Sequence, residues 1–131
     1  MGKAQIAIEF VLLTGMAFII LVVILISTTT ISSERADEQT YLELRDYGNS
    51  LQRELILATE MNKGYHRIID IPEKINGRDY IILTGSAEET GYIIIEYLDR
   101  SITFVTPKTE GEFTKGTNKI TKQNGSIKIN P

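Results

Sequence analysis

The hydrophobic positions of this chain begin with an unbroken apolar run. The 17 residues from Phe10 to Ile26 carry no ionisable group, and the run extends back to Ile6 with a single acid, Glu9. As a helix, residues 6–26 would be about 31 Å long, the thickness of a bilayer core. The pattern therefore predicts a membrane-embedded helix and excludes a simple soluble globular protein.

The apolar run differs from the core of a secretory signal peptide. Such cores span about 7–15 residues and lead into a cleavage site of small residues. This run is longer, and residues 27–33, which follow it, match such a site poorly. We therefore expect the apolar segment to remain in the mature protein.

A heptad stripe follows between Glu34 and Asn62. Its members recur every three or four positions with charged residues between them: Tyr41, Leu44, Gly48, Leu51, Leu55, Ala58 and Asn62. This spacing predicts a helix with one apolar face. We expect a single helix from about Gln5 to about Asn62, bent near residues 48–50 because glycine disfavours helix. Lys63-Gly64 would end it.

Beyond Gly64 the hydrophobic period changes to two, which indicates short strands. Asn124-Gly125 is a strong hairpin signal, and Asp99-Arg100 also allows a tight turn. The expected strands are residues 65–71, 79–84, 92–98, 101–105, 118–122 and 126–130, with a polar loop at 107–116. The predicted fold is α+β: a long N-terminal helix, membrane-embedded in its first half, whose C-terminal half packs on a small antiparallel β-sheet domain.

Composition and charge narrow the possible functions. The chain has no cysteine, one histidine and a net charge of −3, which argues against disulfides, thiolate metal sites and nucleic-acid binding. Residues 34–60 are rich in acids and residues 107–131 in lysines. A solvated helix face and a lysine-studded sheet edge explain this division, and head-to-tail contact between copies is the alternative.

No catalytic or cofactor motif is present in the sequence. It lacks a phosphate loop, a dinucleotide-binding turn, zinc-ligand spacing and a nucleophile elbow. His66 is expected to be structural or exposed, and Glu88-Glu89 to be surface charges. We therefore expect no enzymatic activity and no cofactor. Asn124-Gly125-Ser126 is a glycosylation sequon, so Asn124 is a candidate modification site.

Glu9 is the most informative residue, because a carboxylate at bilayer depth costs about 2.5–3.5 kcal/mol. Its setting resembles archaeal type IV pilin-like proteins with class III signal peptides. Their hallmark is a short basic leader, then Gln-x-Ser-x-Glu-Phe at the head of an apolar helix. Lys3-Ala4, Gln5 and Glu9-Phe10 match it, with Ala4 where Gly is commoner and alanine at position 7 where Ser is commoner.

A second stretch also resembles these proteins. Residues 71–81 follow the first eleven positions of the pattern Leu-Pro-x-x-Ile-x-Gly-x-x-Tyr-x-Ile, with isoleucine in the first position. The resemblance as a whole implies a leader at 1–4, a transmembrane and filament-core helix at 5–26, a continuation with the heptad stripe at 27–63, and an extracellular β-sheet domain at 64–131.

The same resemblance implies a route of assembly. A membrane prepilin peptidase would cut between Ala4 and Gln5, and an assembly ATPase and a platform membrane protein would move the subunit from the membrane into a filament. Glu9 and Phe10 would act in assembly, with the Glu9 carboxylate pairing with the new α-ammonium at Gln5 of a neighbouring copy. A major adhesion pilin and a minor subunit are equally compatible with this pattern.

Two further points complete the sequence-based expectations. Lys3 precedes the apolar run while acids predominate after it, which favours a cytoplasmic N-terminus and an external domain. The alternative to a filament subunit is a monomeric, membrane-anchored extracytoplasmic binding domain that contacts the S-layer or the archaellum stator. Such an anchor would need neither leader cleavage nor Glu9.

Overall fold

The computed structural model describes residues 2–131, so Met1, the first residue of the expected leader, lies outside the described residues. The chain divides into two compact units, Met1–Glu38 and Gln39–Pro131. Helix α1 (Gly2–Glu60) supplies all of the described part of the first unit and the opening of the second. The expected helix is confirmed, although it ends two residues earlier than predicted.

Seven strands follow the helix and form two sheets. The strands are β1 (His66–Ile71), β2 (Ile81–Ala87), β3 (Thr90–Tyr97), β4 (Arg100–Pro107), β5 (Thr109–Glu110), β6 (Gly116–Gln123) and β7 (Ser126–Ile129). One sheet has the order β1-β6-β7-β5 and the other β2-β3-β4. All neighbours are antiparallel except β5 and β7, which pair in parallel. The fold class is therefore α+β, as predicted.

The core of the second unit is built from the heptad stripe and the inner faces of the strands. The helix buries Thr40, Leu44, Gly48, Leu51, Leu55 and Ala58. These side chains pack with Ile71, Tyr80, Ile93, Ile95, Tyr97, Phe104, Phe113, Ile120, Ile127 and Ile129. The predicted stripe is thus confirmed from Leu44 to Ala58. At its ends Tyr41 is only half-buried, and Asn62 is exposed beyond the end of the helix.

Gly48 lies at a close approach between the helix and β4, and the helix continues through residues 48–50. A Cβ atom at this position would overlap the ring of Phe104 and touch the Cδ1 atom of Ile95. Glycine is therefore present because the Phe104 ring occupies the space of a side chain. Close packing thus accounts for the glycine, and the expected bend stays a prediction.

The end of the helix is held by a lysine from the opposite end of the sequence. The Lys122 ammonium donates hydrogen bonds to the carbonyl oxygens of Thr59 at 2.5 Å and Met61 at 2.7 Å. A positive charge there satisfies carbonyl groups that lack helical partners and offsets the negative end of the helix dipole. This tie joins β6 to the last turn of α1.

The tight turns differ in part from expectation. Both Asn124 and Gly125 have positive φ, 52° and 86°, as the predicted hairpin between β6 and β7 requires. The turn between β3 and β4 consists of Leu98-Asp99, because Arg100 already pairs with Tyr97. Glu88-Glu89 forms the turn between β2 and β3, since Ala87 pairs with Thr90.

Three other predictions about the β-sheet region were also wrong. Strand β2 runs to Ala87, so Gly85 does not end it. The expected polar loop at 107–116 contains β5, and two sheets are present where one was expected. Tyr92 explains the first difference: its ring lies over Gly85, where a Cβ atom would otherwise stand. The glycine is therefore part of a packed cross-strand pair rather than a strand terminator.

The stretch 71–81 forms a closed link between the two sheets. Backbone hydrogen bonds join Ile75 and Arg78 in both directions, at 3.1 and 2.9 Å, around a turn at residues 76–77 with positive φ. The buried Tyr80 hydroxyl donates to the Pro72 carbonyl at 2.5 Å. Burial, followed by the nearby Tyr47 and Glu73, raises the pKa of Tyr80 to about 12. The tyrosine therefore keeps its proton and the hydrogen bond at neutral pH.

Candidate assembly segment

The four residues predicted for cleavage and assembly lie in the opening turns of α1. Ala4, Gln5, Glu9 and Phe10 are all helical and all exposed. Gln5 and Glu9 are four residues apart, so they lie on one face of the helix about one turn from each other. The structure thus brings the expected cleavage point and the Glu9 carboxylate onto the same face.

Apolar side chains dominate this part of the helix and have no cover. Every residue from 2 to 36 is exposed. The helix is long and apolar enough to cross a membrane, although a signal sequence near an N-terminus would meet the same criterion. An apolar surface of this length is unstable in water, because burial is worth about 25 cal/mol per Å². A nonaqueous environment, either lipid or other helices, must surround it.

Most hydroxyl groups between residues 14 and 33 are satisfied within the helix itself. Six of them donate to carbonyl oxygens three or four residues earlier, at 2.8 to 3.1 Å: Thr14, Ser27, Thr28, Thr29, Thr30 and Ser33. Such back-bonding lowers the cost of placing these hydroxyls in a nonaqueous environment. The six back-bonded residues can therefore continue the helix without a partner from outside it.

Glu9 differs from these hydroxyl-bearing residues. Within residues 2–131 its carboxylate makes no ion pair or side-chain hydrogen bond, and the surface around it includes Leu12, Leu13 and Met16. An acid with apolar neighbours and no internal partner is costly to transfer out of water. Its compensation has to come from outside the helix that carries it.

The candidate glycosylation residue lies at a hairpin tip. Asn124 and Ser126 are exposed on either side of Gly125, between β6 and β7. The site is sterically accessible, while the same Asn-Gly pair also supplies the turn geometry. Glycosylation of Asn124 therefore remains a prediction.

The lysine-rich stretch has internal partners, which the sequence did not reveal. Lys108 donates to the Glu88 carbonyl at 2.6 Å, and Lys115 to the Glu73 carbonyl at 2.9 Å. Lys128 pairs with Glu110 at 3.4 Å. Together with Lys122 at the helix end, these lysines connect elements within the second unit. Head-to-tail contact between copies stays an untested alternative.

Residues with possible metal or catalytic chemistry are dispersed. Among residues 2–131 there is no group of three or more His, Cys, Asp or Glu side chains arranged to hold a metal ion. His66 is exposed on β1, and Glu88-Glu89 is exposed in its turn. The arrangement around Glu9 can pair a charge and present apolar surface.

One exposed apolar surface was not predicted from the sequence. Ile81, Leu83, Tyr92 and Val105 are exposed on neighbouring strands of the β2-β3-β4 sheet. The signal was available, because runs such as Ile81-Ile82-Leu83 are apolar at every position rather than at alternate ones. A strand that is apolar on both faces predicts cover on both faces.

Comparison with known proteins gave no match to a family model, a curated protein or a solved structure. The architecture itself is pilin-like: one long apolar N-terminal helix, whose C-terminal part packs on small β-sheets made largely of antiparallel pairs. That likeness of architecture, together with the residues around Glu9, is the basis for the functional proposal.

Proposed function

We propose that this chain is a structural subunit of an archaeal type IV surface filament, a pilin or pilin-like protein, and not an enzyme. The observation that carries the proposal is Glu9, a carboxylate without a partner among residues 2–131, at the head of an exposed apolar helix. A membrane anchor gains nothing from this acid, because removing it would make the segment more apolar. A subunit that must align with its neighbours does gain from it.

The proposed pairing starts with leader cleavage. A prepilin peptidase cuts between Ala4 and Gln5 and leaves an α-ammonium on Gln5. In the filament this ammonium pairs with the Glu9 carboxylate of a neighbouring copy. Since the two groups are four residues apart along the helix, the pair favours an axial offset of roughly 6 Å between neighbouring helices. The charge pair thereby fixes register in a bundle that apolar contacts alone would leave free to slide.

The remaining partners follow from the same proposal. Before assembly the apolar helix lies in the membrane, with the N-terminus cytoplasmic and the β-sheet unit outside. An assembly ATPase and a platform membrane protein transfer it into the filament. Back-bonded hydroxyls such as those of Thr14 and Ser27 suit the helix to both environments, because neither needs to supply them with a partner.

The test compares Glu9→Val with Thr14→Val in a strain that lacks the native copy. Both variants remove a polar group near the start of the helix, but Thr14 already has its partner within the helix. Losing one member of a buried pair costs about 3–5 kcal/mol, so Glu9→Val should reduce the sheared-filament fraction more than tenfold. Thr14→Val should leave it nearly unchanged, and Glu9→Gln should behave like Glu9→Val.

Cleavage is measured in the same samples. N-terminal sequencing or intact mass should give a mature chain that begins at Gln5 in the wild type and in all three variants. Cleaved protein in the membranes with little in the filament fraction identifies a defect in assembly. Normal filament yield from Glu9→Val, or retention of the leader in the assembled protein, would refute the proposal. Retention without any filament would favour the monomeric, membrane-anchored binding domain.

A further inference from the structure

The outer face of the β2-β3-β4 sheet is apolar and uncovered. In β3 the residues at 91, 93, 95 and 97 are buried toward the helix, so the alternate residues point to the opposite side. Strand register places Leu83 beside Ile94, and Val105 beside Tyr92. Four large side chains are exposed on this face: Ile81 at 54%, Leu83 at 46%, Tyr92 at 36% and Val105 at 63%. We refer to these four as the outer patch.

The outer patch is continuous because of a glycine. Gly85 pairs with Tyr92 across the two strands, and the Tyr92 ring lies where a side chain at Gly85 would stand. The ring therefore covers the backbone of β2 and closes the gap beside Leu83. Singly exposed apolar residues need no explanation, but four in neighbouring rows of one sheet indicate an interface.

We infer that the outer patch is a contact surface for a second copy of this chain, an inference that rests on the proposed function. The four side chains expose roughly 400 Å², which is about half of what one partner contributes to a stable interface between freely diffusing proteins. An independent partner would bind such a patch only weakly. Copies already concentrated in a membrane need much less contact area, because their effective concentration is high. Two copies side by side in a membrane can also be related by a twofold axis, which the axial offset between neighbours in the filament does not allow.

Charge on this face also favours a second copy. In a twofold-symmetric contact the groups near the axis meet their own copies, so a charge at the centre of the contact would be repelled. Glu96 is the one Asp, Glu, Lys, Arg or His residue among the outward positions of the three strands, and it lies in the row of Ile81 and Ser101 rather than between Tyr92 and Val105. Two such faces can pack as sheets do in a β-sandwich, about 10 Å apart.

The test uses the absence of cysteine from the chain. Val105→Cys places a single thiol in the outer patch, and Ile68→Cys places one on the other sheet at nearly equal exposure, 66% against 63%. Full-length variants are treated in whole cells with a bismaleimide that spans about 10 Å. Two tagged forms of different mass are co-expressed, so that a mixed dimer identifies the partner as a second copy.

The expected result is a mixed dimer from Val105→Cys at least about fivefold above that from Ile68→Cys, with Leu83→Cys giving a similar enrichment. Equal yields from the two sheets would overturn the inference, as would crosslinks mainly to a cysteine-containing protein of another mass. Whole cells contain the membrane pool, in which the twofold contact can form, so the ratio is interpretable whether or not filaments assemble. Failure of the filament proposal is detected separately, in the sheared fraction of the Glu9 experiment.

Discussion

The ring of Phe104 occupies the space in which a side chain at position 48 would lie. This relationship reverses the usual effect of glycine in a helix. Replacing glycine by alanine in a helix interior normally stabilises by about 1 kcal/mol. Here the added methyl group would overlap a buried ring, which would have to shift within the core.

We therefore expect Gly48→Ala to lower the free energy of unfolding by about 1–3 kcal/mol, the usual cost of overpacking a core. Urea unfolding followed by circular dichroism measures the change. Ser50→Ala, an exposed substitution in the same helix, should be neutral or slightly stabilising. Adding Phe104→Leu to Gly48→Ala should recover part of the loss. A Gly48→Ala protein as stable as the wild type would show that the helix and β4 can separate without cost.

The second prediction concerns the heptad stripe. A chain that starts at Ser27 lacks the apolar run and should be soluble, monomeric and folded, because the core lies in residues 39–131. In that chain, Leu51→Asp and Leu55→Asp should abolish folding, since burying an unpaired carboxylate costs several kcal/mol. Leu57→Asp is the matched control, because Leu57 is 41% exposed on the same helix. Thermal melting distinguishes them, and equal melting of all three variants would place the stripe in solvent.

These two examples show which parts of the fold the sequence could predict. The membrane-length run and the stripe from Leu44 to Ala58 are local periodicities, so they are visible without knowing any partner. The two-sheet arrangement is different, because the pairing of β1 with β6 and of β5 with β7 depends on contacts between distant residues. Gly48 was expected to bend the helix for the same reason: nothing near it in sequence indicates Phe104.

The candidate assembly segment, in contrast to the two-sheet arrangement, could be predicted from the sequence. Ala4, Gln5, Glu9 and Phe10 were identified from adjacent residues alone, and the structure adds that they share the opening turns of one helix. Glu9 has no partner within the part of the chain that the structure describes, and the group proposed to pair with it belongs to another copy. Apolar runs such as Ile81-Ile82-Leu83 do signal a strand covered on both faces. That Leu83 and Val105 belong to one patch follows only once the sheet has formed, because they come from different strands.

The tie between Lys122 and the helix end gives the third prediction. Lys122→Met keeps much of the aliphatic side chain but removes the hydrogen bonds to Thr59 and Met61. We expect the free energy of unfolding to fall by about 1–2 kcal/mol. Lys119→Met removes an exposed lysine from the same strand and should change stability by less than about 0.5 kcal/mol. Hydrogen exchange should show faster opening of the last helical turn only in Lys122→Met. Equal exchange in both variants would argue against the cap.

The fourth prediction concerns alkaline pH and Tyr80. Its pKa in the folded chain is about 12, against an ordinary value of 10.0, chiefly because of burial. A group whose folded pKa is raised stabilises the fold fully below its unfolded pKa and loses that contribution as pH rises toward the folded pKa. Stability should therefore fall between about pH 10 and pH 12, by about 1–2 kcal/mol after allowance for solvent screening.

Lysines titrate over the same range, so paired variants are needed to separate the contribution of Tyr80 from theirs. Tyr80→Phe removes the titrating hydroxyl together with its hydrogen bond to Pro72, and should cost about 1 kcal/mol at neutral pH. Its stability should then decline less steeply between pH 10 and pH 12 than that of the wild type. Tyr92→Phe, which removes an exposed hydroxyl, should keep the wild-type slope. Urea midpoints measured across this range give the slopes. If Tyr80→Phe and Tyr92→Phe decline in parallel, then Tyr80 is not the group that couples folding to alkaline pH.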